Sequence, residues 1–265
     1  PMSRARKTLM LGDHLQIPPL VNDDLAAICK TERVSTELLE KSFFEYLFTR
    51  MEAKDALTPN LTRLNEQFRM PGNISEVISN WFYGGEYHAH YDMSQWRPMV
   101  PGTKRPLLIV DTSEESKRAE YSEDDARRDA EQGRRVEPCL AGPGYANVLE
   151  ARIAADIVEA LVRSGNVLQK DEKGNSLKIQ DYVGIISAYG KQVRTIRNEL
   201  KKRRLGLEEE QIFGMCASLD SFQGQERPVI IYSSTRSTLY KRPQSPRIGF
   251  MKELRRLNVA FTRCQ

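Results

Sequence analysis

Short apolar runs alternate with stretches of helical periodicity along most of this 265-residue chain. Runs of strand character lie at residues 8–11, 106–111, 182–187, 213–218 and 228–233. Helical spacing of apolar residues fills 34–51, 73–82, 147–163 and 249–262, and a further helix ends at residue 205. Strands that alternate with helices predict an α/β fold with a mostly parallel sheet and helices on both faces. In such a sheet, ligand-binding loops lie at the carboxyl ends of the strands.

Two of the predicted helices carry end signals of their own. Asn147 can cap the helix at 147–163, and Gly165 follows its last turn. In the same way, Asn73 and Gly84 bracket the helix that ends at Phe82. These signals predict where both helices begin and end.

Residues 113–135 interrupt the pattern, because they hold charges of both signs and hardly any apolar side chain. The segment fits either a solvated helix or a mobile insertion. Because it has little to bury, we expect it to be poorly packed and to be the first site of limited proteolysis.

The helix that ends at residue 205 is rich in Lys and Arg, and two explanations stand side by side. Cationic side chains favour the carboxyl end of a helix, and Gly206 follows this one. Alternatively, the charges form a patch that faces phosphates. The residues concerned are Lys191, Arg194, Arg197, Lys201, Lys202, Arg203 and Arg204.

Composition narrows the class of protein. Hydrophobic residues make up 40% of the chain and charged residues 29%, as in globular proteins, and no apolar run approaches the roughly 20 residues that span a membrane. Four separated cysteines without a Cys-x-x-Cys pair favour reduced thiols in the cytoplasm or nucleus rather than secretion. His88 and His90 lack further ligands, so we expect no metal site. The net charge of +4 permits an anionic partner without requiring one.

The chemistry is concentrated in two runs near the end of the chain. The first reads Ala217-Ser-Leu-Asp-Ser-Phe-Gln-Gly-Gln-Glu226 and the second Gly249-Phe-Met-Lys-Glu-Leu-Arg-Arg-Leu-Asn-Val-Ala-Phe-Thr-Arg263. Gly224 would let the backbone approach a ligand closely. The guanidinium of Arg263 suits phosphate oxygens.

These two runs resemble motifs V and VI of superfamily-1 helicases, in the up-frameshift-like branch. Three earlier stretches are similar to further motifs of that family. Gly12-Asp-His-Leu-Gln-Ile-Pro-Pro19 resembles motif III, Gln67-Phe-Arg69 resembles motif IV, and residues 182–192 resemble motif IVa. Phe68 stands where the family often has tyrosine, so stacking on a base is retained and a phenol hydrogen bond is not. For Phe68 by itself, burial in the core is the open alternative.

The resemblance implies three sets of site residues. The catalytic set is a γ-phosphate sensor, Gln16, and two arginine fingers, Arg69 and Arg263. The cofactor-binding set is Gly12, Asp13, Phe68, Gly224 and Glu226, with Glu226 on the ribose. The nucleic-acid-binding set is Ser187, Tyr189, Ser234, Thr235 and Arg236. Because the motifs sit at strand ends, we expect Gln16, Arg69, Gly224, Glu226 and Arg263 to line one cleft.

The implied fold is a RecA-like domain of the P-loop NTPase type. Residues 1–58 would be the tail of a first RecA-like domain with the crossover. Residues 59–265 would be the second domain, and a polar insertion at about 113–145 lies outside the resemblance.

The implied function is the carboxyl-terminal half of an ATP-dependent helicase or translocase that moves on single-stranded DNA or RNA. The chain contains neither a Gly-x-x-x-x-Gly-Lys-[Ser/Thr] phosphate loop nor an Asp-Glu pair before motif III. ATP and Mg²⁺ would therefore bind jointly with a first RecA-like domain, and this chain alone would not hydrolyse ATP. Two alternatives are a degenerate helicase-like domain that binds nucleic acid or a protein without hydrolysis, and an unrelated α/β nucleotide-binding fold.

Overall fold

The computed structural model describes residues 4–17, 23–32, 41–52, 61–90, 100–116, 119–165, 178–237 and 254–264. The chain divides into two compact units, residues 1–65 and 66–265. Among the described residues, no helix combines the length and the apolar composition needed to cross a membrane.

The first unit contains helices α1 (Asp23–Thr31) and α2 (Phe43–Glu52). Phe48 of α2 is buried, and its ring stacks on His14 at a centroid distance of 4.2 Å. The prediction of a buried strand at residues 8–11 is wrong, because these residues form no strand and Leu9 and Leu11 are exposed. Residues 34–40 of the helix expected at 34–51 lie outside the described residues.

The second unit is built on a parallel sheet, as the alternating pattern predicts. Strand β3 (Val183–Ser187) lies between β4 (Cys216–Ser218) and β5 (Val229–Ser233), and both pairings are parallel. Every residue of β3 is buried. Its last residue, Ser187, is level with Ser218 and Ser233, so three strand ends meet at one edge.

Helices cover both faces of this sheet. On one face, Val183 and Ile185 pack in a core with helices α5 (Val148–Ser164), α6 (Ile179–Tyr182), α7 (Gly190–Arg203) and α8 (Glu209–Met215). The opposite face contacts helix α9 (Leu254–Phe261), where the rings of Tyr232 and Phe261 are 6.1 Å apart.

A two-stranded sheet precedes the main sheet in the chain. Strands β1 (Glu66–Gln67) and β2 (His88–Ala89) are parallel, and helix α3 (Gly72–Phe82) follows β1. The prediction that Asn73 caps this helix is wrong, because α3 begins after Pro71 and no side chain caps it. For α5 the prediction is confirmed, because the Asn147 side chain accepts from the amide of Glu150, and Gly165 ends the helix with a φ of 66°.

Two predicted strands differ from the structure. Residues 106–111 form no strand, and Ile109 is 78% exposed. Residues 213–215 belong to α8, because Glu208 starts a helix through a bond from its amide to the Gln211 side chain. Strand β4 therefore begins only at Cys216.

The polar insertion is more ordered than its composition suggests. Helix α4 (Glu123–Glu131) begins with a capping box formed by Ser122 and Asp125. Before it, the backbone of Tyr121 forms an antiparallel bridge to Ala146. Of the two alternatives, the structure contains the solvated helix, in which Ala126 is the one buried residue. The expectation of early proteolysis stays a prediction.

Candidate functional site

The turn after β1 is shaped by the buried side chain of Gln67. Its Oε1 accepts hydrogen bonds from the amides of Arg69 and Met70 at 2.9 and 2.7 Å, and its Nε2 donates to Met70 O at 2.9 Å. These bonds fix a tight turn that leaves the side chains of Phe68 and Arg69 at the surface. Sequence reasoning missed this positioning role of Gln67.

Arg69 of motif IV contacts motifs V and VI in the second unit. Its Nε lies 2.5 Å from Glu226 Oε2, and its Nη1 donates to the carbonyl of Thr262 at 3.1 Å. Thr262 directly precedes Arg263, so residues that are up to 193 positions apart in sequence share one surface. Both partners of the ion pair are partly exposed, which makes the pair accessible to an incoming anion.

Arg263 is placed differently from Arg69. Its side chain is buried, and its Nε donates to Val259 O of helix α9 at 3.1 Å. Its backbone carbonyl accepts from the amide of Arg227 at 3.0 Å, which connects motif VI to the end of motif V. Of the two predicted fingers, Arg69 is therefore the one with an exposed guanidinium in this structure.

Phe68 and Gly224 suit a nucleotide in different ways. Phe68 is 73% exposed, and its ring stacks on His90 at 5.0 Å. An aromatic face at the surface can stack on a base. Gly224 has a φ of 82° and nothing within 4 Å of the place of a Cβ, so its turn has room for a close ligand. These residues fit part of an ATP site; in the described part of the chain, no cluster of three metal-ligating side chains accompanies them.

Gly12, Asp13 and Gln16 lie in the first unit. Asp13 accepts from the Leu15 amide and from Gln16 Nε2, both at 2.9 Å. This local turn orients the predicted γ-phosphate sensor. Its position in a common cleft with Arg69 stays a prediction.

The residues predicted to contact nucleic acid meet at the ends of β3 and β5. Ser187 Oγ and Thr235 Oγ1 are 2.9 Å apart, and both side chains are fully buried. Ser187 Oγ also accepts from the amide of Tyr189 at 3.2 Å. Thr235 has a φ of 68°, an uncommon conformation for a β-branched residue.

Glu150 holds this loop from helix α5. Its carboxylate accepts from Ser233 Oγ at 2.6 Å, from the Thr235 amide at 2.8 Å and from Ser234 Oγ at 3.2 Å. Gln192 Nε2 adds a 2.9 Å bond to Ser233 Oγ. Sequence reasoning missed this role of Glu150, because nothing local indicates a partner more than 80 residues away.

Arg236 is also buried. Its Nε lies 3.5 Å from Glu120 Oε1, and its guanidinium covers the ring of Tyr145 at 4.0 Å. As placed, four of the five predicted nucleic-acid contacts (Ser187, Tyr189, Thr235 and Arg236) have buried side chains. Their role as direct contacts stays a prediction.

Part of the basic helix α7 pairs with carboxylates within the protein. Lys202 pairs with Glu137 at 2.9 Å and with Glu199 at 2.8 Å. The hydrogen bond from Lys202 lowers the pKa of the Glu137 carboxyl, and the bond to Glu199 raises the pKa of Lys202. Arg203 pairs with Asp156 at 2.5 Å. These contacts occupy Lys202 and Arg203, whereas Arg194 and Arg204 are exposed, so a phosphate-facing patch stays a prediction.

The sequence of this chain matches a family model and several known proteins. A family model described as "AAA domain" matches residues 39–265. Helicase SEN1 of Saccharomyces cerevisiae is 26% identical over 265 residues, covering 98% of this chain and 10% of that protein. Regulator of nonsense transcripts 1 of Dictyostelium discoideum is 28% identical over 270 residues, covering 100% of this chain and 16% of that protein. DNA polymerase alpha-associated DNA helicase A of Schizosaccharomyces pombe is 28% identical, covering 99% of this chain and 33% of that protein. The chain thus spans a tenth to a third of these relatives.

Proposed function

Because this chain belongs to the AAA domain family, in the up-frameshift-like branch of superfamily-1 helicases, we propose that it forms the carboxyl-terminal motor half of an ATP-dependent helicase or translocase. It would work inside the cell on single-stranded DNA or RNA. A first RecA-like domain would provide the phosphate loop, which this sequence does not contain.

The contact of Arg69 with Glu226 and Thr262 is the observation that carries the proposal. It unites motifs IV, V and VI at one surface of the second unit. ATP with Mg²⁺ would supply the transferable phosphoryl group. Arg69 would then exchange the carboxylate of Glu226 for phosphate oxygens, which releases Glu226 to accept from a ribose hydroxyl.

The edge formed by Ser187, Tyr189 and residues 234–236 would grip the nucleic-acid strand. The carboxylate of Glu150 supports this proposal, because it holds the loop after β5 in one conformation. A rigid loop loses little conformational entropy when it binds a strand.

The test is ATP turnover in the complete polypeptide that carries this chain. Arg69→Gln should lower turnover at least about a hundredfold while ATP binding falls far less, since a finger acts mainly on the transition state. Arg128→Gln is the matched control, because Arg128 is an exposed arginine of α4 that pairs with Asp125. The chain of residues 1–265 alone should release phosphate at the background rate. Hydrolysis by this chain alone, or full turnover in Arg69→Gln, would contradict the proposal.

A further inference from the structure

Glu120 of the polar insertion reaches the loop that is proposed to bind nucleic acid. One carboxylate oxygen lies 3.5 Å from Arg236 Nε, and the other accepts from the Ser237 amide at 2.9 Å. The two side chains are 5% and 2% exposed. A buried ion pair therefore connects the insertion to the end of β5.

The donors around Glu120 are those of a phosphate site. Phosphate oxygens of nucleic acids are bound chiefly by Arg and Lys side chains and by backbone amides. Glu120 contacts one of each kind at adjacent positions: it forms an ion pair with Arg236 and accepts from the amide of Ser237. A carboxylate and a phosphodiester each carry one negative charge, so either one can neutralise Arg236.

The loop and the insertion are both held in place. Thr235, next to Arg236, keeps a φ of 68°, and such conformations cluster at functional sites. On the insertion side, the Tyr121–Ala146 bridge directly follows Glu120, and buried Lys191 donates to Gly142 O at 3.0 Å. The segment that carries the Glu120 carboxylate is therefore held in place by hydrogen bonds.

We propose that Glu120 occupies the place of a backbone phosphate on Arg236 and Ser237, so that the insertion competes with single-stranded nucleic acid for this loop. The inference rests on the proposed function. Binding exchanges one anion for another at Arg236. The wild-type chain consequently gains little counterion release from this residue.

The test is the affinity of the chain for a fluorescein-labelled oligo(dT) strand, measured by anisotropy over a salt series. Glu120→Gln keeps the size of the side chain and removes its charge. It should bind about five- to tenfold more tightly than wild type, and the slope of log affinity against log salt should steepen by about 0.7. The matched control is Asp124→Asn, which removes one charge from the exposed part of α4. It should change the affinity less than about twofold, because charges away from a binding site act only through screened long-range attraction.

A double variant separates this inference from a general charge effect. Adding Arg236→Gln to Glu120→Gln should abolish the gain in affinity. Thermal unfolding checks that each variant is folded. If Glu120→Gln unfolds early, Glu120→Asp, which keeps the charge but withdraws it from Arg236 by one methylene group, should give a smaller gain in affinity. Equal binding by Glu120→Gln and Asp124→Asn, or a gain that survives Arg236→Gln, would overturn the inference. These binding measurements are separate from the ATP turnover assay, which tests the proposed function.

Discussion

At the residue scale, Glu150 has the greatest influence on the candidate site. It lies in the first turn of α5, and its carboxylate accepts from three donors, one in the last residue of β5 and two in the loop that follows. Hydrogen bonds to a charged group are stronger than neutral ones, and a buried acceptor that is lost leaves its donors unsatisfied. The loop that carries Thr235 and Arg236 thus depends on one side chain from a distant element.

We predict that Glu150→Gln lowers the free energy of unfolding by about 1.5–3 kcal/mol, because the amide cannot accept from all three donors. Urea denaturation, with the midpoint and slope compared to wild type, measures the loss. Glu131→Gln removes the same charge from an exposed position of α4 and should stay within about 0.5 kcal/mol. An unchanged midpoint in Glu150→Gln would show that the network does not stabilise the fold.

At the element scale, strand β3 is confined on both faces. A Cβ at Gly184 would lie 2.7 Å from Cζ of Phe222 and 2.9 Å from Cδ1 of Ile230. Phe222 belongs to motif V, so the glycine lets this motif pack directly against the central strand. The backbone of β3 and the ring of Phe222 together set the position of the turn that contains Gly224.

Gly184→Ala should destabilise the fold by about 1–3 kcal/mol, because the methyl group overpacks this contact. Gly190→Ala is the matched control. Nothing lies within 4 Å of a Cβ at Gly190, the first residue of α7, so it should be neutral or slightly stabilising. The two variants can be compared by thermal unfolding. Equal melting temperatures would contradict the packing account.

At the scale of the whole molecule, the chain consists of two compact units that meet in sequence between residues 65 and 66. The buried clusters around Ile185 and Ile78 both lie within the second unit. A unit that contains its own hydrophobic core is expected to fold independently.

We therefore predict that a truncated chain of residues 66–265 unfolds cooperatively, with a melting temperature within a few degrees of the corresponding transition in the full chain. Calorimetry of both chains measures this. The Glu150→Gln substitution should shift the transition equally in both. A truncated chain without a cooperative transition would mean that the second unit depends on residues 1–65.

The sequence by itself determined the features that depend on near neighbours. The cap at Asn147, the end of α5 at Gly165 and the apolar run of β3 follow from local chemistry and periodicity. The alternation of strands and helices likewise predicted the parallel sheet, since parallel strands require crossover connections. The spacing of the motifs also predicted that Arg69 and Glu226 lie at the ends of secondary-structure elements.

Only the tertiary structure decided which of these groups are paired and which are exposed. Residues 106–111 have the composition of a strand, yet a strand exists only where another segment offers hydrogen bonds, and none of the described residues pairs with them. The ion pair of Glu120 with Arg236 and the bonds of Glu150 join residues far apart in sequence. Such contacts depend on how the chain packs in three dimensions, and local periodicity holds no information about that packing.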